Sequence, residues 1–171
     1  MMPSTEKNIG ERLFLRYLLI YLSVFVPLLL LAFRAFPLPF PADAGRFQLI
    51  LLAFALFGGV VTINGLYLPL LCAVKAAADA AIFFRVTTMV RTKAIGFLPW
   101  NVWFLLSALS AFLLFGVAAA ACRFSFSHRE RDFRLIFSKP FARYALQGCV
   151  YLLLAVLLAF LFFRAEELLP R

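Results

Sequence analysis

Charge is missing from most of this chain. Four apolar runs, at 17–33, 47–73, 100–122 and 144–163, make up more than half of its 171 residues, and none carries an acidic or basic side chain in its interior. That absence excludes a soluble domain. With 65% apolar and only 15% charged residues, the chain lies far from the soluble average of about half apolar and a quarter charged. Each run approaches or exceeds the roughly 20 residues needed to cross the hydrocarbon of a bilayer.

Other scarcities narrow the chemistry. There is one histidine, His128, which excludes bis-histidine haem ligation within a single copy. Cys72, Cys122 and Cys149 form no CxxC and no paired framework, so neither a disulfide scaffold nor a dithiol motif is expected. The sequence has no Gly-rich phosphate loop, no nucleophile elbow and no HExxH. Its eight acids are Glu6, Glu11, Asp43, Asp79, Glu130, Asp132, Glu166 and Glu167. All are read as lying in tails, loops or a projecting stem, which argues against ion coupling within one copy, because coupling needs an ionisable group near mid-membrane. No catalytic residue, cofactor or metal is expected.

What is present reads as an all-α integral membrane protein, a single polytopic domain over 1–171 with four transmembrane helices at about 15–35, 47–73, 99–122 and 144–164. Helices form because spanning backbone must satisfy its own hydrogen bonds. The N-terminal segment with Lys7, Arg12 and Arg16 resembles a signal-peptide n-region, but the run after it is too long and lacks a cleavage site, so it is read as an uncleaved span. That first helix is rich in leucine and aromatics and poor in small residues, and a peripheral, lipid-facing position is expected. Pro37, Pro39 and Pro41 stiffen the connection that follows.

In the second helix Gly58, Thr62, Gly65 and Pro69 recur on one face, the spacing that lets membrane helices approach closely. Gly58-Gly59 and Asn64-Gly65 also weaken it, so a kink or an unwound turn is expected there. Beyond it a helical stem at about 74–93 carries Lys75, Asp79, Arg85, Arg91 and Lys93 scattered round the helix, and apolar residues such as Phe83 and Phe84 there call for a protein cover. Trp100 and Trp103 form an aromatic belt. Ser107 and Ala111 in the third span, and Gly148 and Ala155 in the fourth, give further packing faces, so spans two to four are expected to form the packed core. Asn64 and Gln147 are the candidate intramembrane polar residues, as helix contacts or as the lining of a polar path.

The net charge of +9 would suggest nucleic acid in a soluble protein. Here the basic residues sit in loops and at span ends, so the expected partners are the lipid bilayer and its anionic headgroups, with no nucleic acid. The 123–143 loop is the densest basic stretch, and Arg129, Arg131, Arg134 and Lys139 are its candidate headgroup contacts. Four spans leave nine Lys and Arg on the N-terminal side against eight on the other, which fixes no orientation by the positive-inside rule. Compact loops suggest a bacterial inner membrane.

Three functions fit. The first is a non-enzymatic subunit or scaffold of a larger membrane complex, bound to other membrane proteins or to itself. The second is a small channel or exporter working as a homo-oligomer, dual-topology if the balanced charges allow both insertions. The third is an enzyme acting on lipid headgroups through His128, Glu130 and Asp132. In size and span count the chain resembles several groups of small four-helix membrane proteins. It lacks the paired acids of lipoprotein signal peptidases, the cysteine pairs of disulfide-forming proteins and the mid-membrane glutamate of small multidrug exporters.

Overall fold

In a computed structural model the protein is described over residues 4–34, 44–58, 64–93, 95–127 and 139–167. Five helices follow in order: α1 (Ser4–Arg34), α2 (Ala44–Gly58), α3 (Asn64–Arg91), α4 (Phe97–Ser127) and α5 (Lys139–Glu166). Among the described residues, four segments are long and apolar enough to cross a bilayer: Glu11–Arg34, Tyr67–Arg91, Phe97–Phe124 and Phe141–Glu166. The protein is therefore a polytopic, all-α integral membrane protein.

The helices alternate in direction. Contacts of Phe25 and Phe33 with Phe83 and Phe84 run α1 parallel to α3. Phe83 meets Trp100 and Phe104, and the Trp100 indole N–H donates to Thr87 Oγ1 at 3.1 Å, so α4 returns antiparallel to α3. Trp103 against Phe162 at one end and Phe124 against Tyr144 at the other make α5 antiparallel to α4. Lys93, with φ 59°, closes the turn between α3 and α4, its backbone N–H donating to the Val90 carbonyl at 3.0 Å.

The second apolar run differs from its sequence reading. A continuous span at 47–73 followed by a stem at 74–93 is replaced by two helices. α2 ends at Gly58 and α3 begins at Asn64, and residues 59–63 between them lie outside the described residues. The segment of crossing length is Tyr67–Arg91, most of which the sequence assigned to the stem. Short α2 runs antiparallel to α3 and α5. Tyr67 OH donates to the Phe54 carbonyl at 3.0 Å, and Tyr144 OH donates to the Leu56 carbonyl at 2.6 Å. At its other end Gly45 lies against the Ala159 backbone. Its 15 residues extend only about 22 Å at 1.5 Å per residue, against roughly 30 Å of hydrocarbon.

The first helix faces outward over most of its surface, as expected, but it is not loosely attached. α1 packs along α3 more extensively than any other two helices pack together. It does so through one stripe, with Tyr17, Tyr21 and Ala32 buried, while Leu15, Leu19, Leu22, Val26 and Leu30 face outward. Small residues are one way to bring membrane helices together, and hydroxyl hydrogen bonds are another. Tyr17 and Tyr21 use the second: Tyr17 OH lies 3.1 Å from Cys122 Sγ on α4, and Tyr21 reaches into α3. The core gathers these tyrosines with Leu52, Ala55, Leu68, Cys72, Ala76, Leu114, Phe115 and Ala118. A second cluster of Ile82, Val86, Trp103, Leu106, Leu158 and Phe162 joins α3, α4 and α5.

Candidate functional site

Lys75 and Asp79 lie one helical turn apart on α3 and are both buried, at 0% and 1% exposure. The Lys75 ammonium donates to both carboxylate oxygens of Asp79. Asp79 is the central residue of the membrane-length segment Tyr67–Arg91, so the ion pair sits at the middle of an apolar segment long enough to cross a bilayer. The flanking residues explain how it fits there. Cys72, Ala76 and Ala80 are fully buried beside it, and their small side chains leave room for two charged ones inside the bundle.

Two other helices complete the group. From α1, Tyr21 OH donates to Asp79 Oδ2 at 2.7 Å. Its ring packs edge-on against Phe115 of α4 and stacks on Phe25, both with centroids 5.5 Å away. From α2, buried Gln48 turns its amide to the same carboxylate, although its Nε2 has no partner in hydrogen-bonding geometry. Tyrosine and glutamine can each donate or accept, so both can serve Asp79 with or without its proton. Lys75 can only donate while it is charged.

The energetics constrain what this group can do. Removing a single ion from water costs several kcal/mol, and mutual attraction repays that only when the partner charge is present and hydrogen-bonded. The pair is neutral as a whole, and any step that left a net charge in this buried position would meet that cost. Pairing for helix stability alone would favour the opposite order, acid before base at i, i+4. Tyr21→Phe is expected to cost about 1–2 kcal/mol, the upper part of the range for interhelical hydrogen bonds because the acceptor is ionised. Thermal unfolding in detergent would show it, with Leu15→Ala on the outer face of α1 as a near-neutral control.

The residues singled out in the sequence lie elsewhere. Ala111 and Ala155 are buried and Ser107 is half-buried. Gly148 faces α2, where an added Cβ would sit 3.6 Å from Leu56 Cδ2. Gly58 closes α2 and Asn64 and Gly65 open α3, while Thr62 lies outside the described residues. Gln147 is exposed on α5, beside a shallow open depression lined by Leu146, Val150 and Tyr151, and does not reach the buried pair. Arg129, Arg131 and Arg134 lie outside the described residues, as do His128, Glu130 and Asp132; Lys139 begins α5. The three cysteines are free thiols, with Cys149 exposed.

No known protein family matches this chain. Neither does any curated protein or solved structure. Among the described residues no three His, Cys, Asp or Glu side chains are placed to hold a metal ion. The sequence signal for the site was the i, i+4 spacing of opposite charges amid alanines, which neutralises both charges locally and lets the segment count as apolar.

Proposed function

We propose that this protein carries a small ion across the bilayer, with Asp79 and Lys75 as its ion-handling centre. The observation that carries the reading is an ion pair enclosed at the middle of a membrane-length helix and contacted from two others. Ionisable residues are expensive at that depth and mark ion pathways and proton relays where they occur. The reading keeps the channel or exporter class. The eight acids no longer argue against coupling, since one of them lies at mid-span.

Reconstitution of the full chain in liposomes loaded with a pH-sensitive dye tests this. Proton movement above that of protein-free vesicles is expected under an imposed ion gradient. It should vanish in the double variant Lys75→Met/Asp79→Leu, which keeps a neutral, filled core. Equal flux in wild type and double variant, or no flux in either, would overturn the proposal.

A second reading has its own support. Tyr21 and Gln48 recruit α1 and α2 to Asp79, as expected if the pair is a lock that specifies how the helices assemble. The protein would then be a non-enzymatic subunit of a membrane complex, and the double variant would stay fully functional. Contact of Arg129, Arg131, Arg134 and Lys139 with anionic headgroups, and residence in a bacterial inner membrane, are proposed on charge distribution and loop length alone.

A further inference from the structure

α5 turns an amide outward. Gln147 is exposed and lies six residues inside the membrane-length segment Phe141–Glu166. The 26 residues of that segment extend about 39 Å at 1.5 Å per residue. Centred on roughly 30 Å of hydrocarbon, they keep Gln147 within the apolar layer. We infer that two copies of this chain pair along α5 in the same direction, with their Gln147 amides bonded to each other across a two-fold axis.

The amide itself points to the occupant. Outward hydroxyls on other helices return their hydrogen bonds to their own backbone: Ser23 donates to the Ile20 carbonyl and Thr88 to the Phe84 carbonyl, each at 2.8 Å. The Gln147 side chain makes no such bond among the described residues, and an amide in apolar surroundings is costly until it finds a partner. Lipid tails offer none. A second copy presents the same group at the same height by symmetry. An amide is also complementary to itself, since its carbonyl accepts while its NH2 donates.

The residues beyond Gln147 have the spacing of a two-helix contact. Gln147, Val150, Leu154, Leu157 and Leu161 are separated by three, four, three and four residues, the seam of a left-handed helix pair. All five are exposed, while Ala155, Leu158 and Phe162 are buried and fix α5 to its own bundle, so pairing needs no rearrangement. At the start of the seam Leu146, Gln147, Val150 and Tyr151 line a shallow open depression, which leaves room for a side chain of the second copy. At its far end Arg164 is bonded to Glu167 at 3.1 Å, which offsets repulsion between like charges. A polar amide in such a seam fixes two strands in one register. In an antiparallel pair crossing at Leu154, Gln147 would lie opposite Leu161 and stay unbonded. The outer face of α1, by contrast, is apolar at Leu15, Leu19, Leu22, Val26 and Leu30 and needs only lipid. The pairing is independent of the ion pair inside each copy, and it requires both copies to insert the same way.

Cross-linking of the full chain in the membranes of expressing cells tests this. On a Cys149→Ser background, Val150→Cys and Leu157→Cys are each expected to give a disulfide-linked dimer on oxidation with copper–phenanthroline. Leu19→Cys on α1 is expected to give none. In mixed micelles Gln147→Leu should lower the dimer association constant about threefold to tenfold, the range for interhelical hydrogen bonds in membranes, with the melting temperature of the dilute monomer unchanged. Gln147→Asn keeps the amide and should retain most of the association. Cross-linking at Leu154→Cys alone would mean an antiparallel pair and would overturn the inference. Equal cross-linking at Leu19→Cys, a mark of random collision, would do the same. So would a chain that stays monomeric at every concentration, or an association constant that Gln147→Leu leaves unchanged.

Discussion

Asp79→Leu alone is expected to destabilise the folded protein by about 3–5 kcal/mol, and the double variant Lys75→Met/Asp79→Leu to recover most of that loss. The single change takes away the carboxylate that pairs with the buried Lys75 ammonium, its one ion-pair partner among the described residues. It also strands the Tyr21 hydroxyl, whose hydrogen bond goes to Asp79 Oδ2. The double change removes both charges and fills their volume with apolar atoms, which buried ion pairs often tolerate at little cost. Only the Tyr21 hydroxyl then loses its hydrogen-bond partner, at about 1–3 kcal/mol. Unfolding of the three proteins in the same mixed micelles gives the comparison. A double variant as unstable as the single one would mean that the hydrogen bonds to Asp79, and not the balance of charge, hold α1, α2 and α3 together.

Gly45→Val is expected to be the most damaging substitution on α2. A Cβ there would lie 2.8 Å from the Ala159 carbonyl oxygen and 3.6 Å from its Cα. Backbone cannot swing aside as a side chain can, so α2 and α5 must separate along their contact, and overpacking of this kind costs about 1–3 kcal/mol. The branched side chain adds to the strain at the first turn of the helix. Gly148→Ala supplies the contrast on the same pair of helices. Its Cβ would meet only Leu56 Cδ2 at 3.6 Å, an ordinary contact, and a change within about 0.5 kcal/mol is expected, helped by the better helix propensity of alanine. Melting of both variants in detergent decides it; equal behaviour would show that the α2–α5 contact is looser than its geometry.

The sequence carried the membrane class and three of the four long apolar segments, because hydrocarbon thickness imposes a length that composition alone reveals. The residues it marked as weak, Gly58 and Asn64-Gly65, fall at the end of α2 and the start of α3. It did not carry the depth of Lys75 and Asp79. A helical wheel treats each charge by itself, and five scattered charges read as a stem. Only spacing distinguishes the pair, since one turn brings an acid and a base together and cancels their cost, whereas Arg85, Arg91 and Lys93 are exposed. The importance of α1 was hidden for a related reason. A search for small residues passes over Tyr17 and Tyr21, whose hydroxyls make the contacts that glycine or alanine make elsewhere. Gln48 was passed over too, as one polar residue near the start of an apolar run.

The brevity of α2 and the charges of α3 bear on how the nascent chain enters its membrane. One helix is too short to lodge alone across the hydrocarbon, and the other carries two residues that each cost about 2.5–3.5 kcal/mol at the centre of an inserting segment. α1, synthesised before both and strongly apolar, brings Tyr21, the partner of Asp79. Partitioning of the next two helices as a hairpin against that helix supplies Asp79 with its phenol donor and α2 with its neighbours. A helix that precedes both in the chain thus offers a template to the two least able to insert unaided.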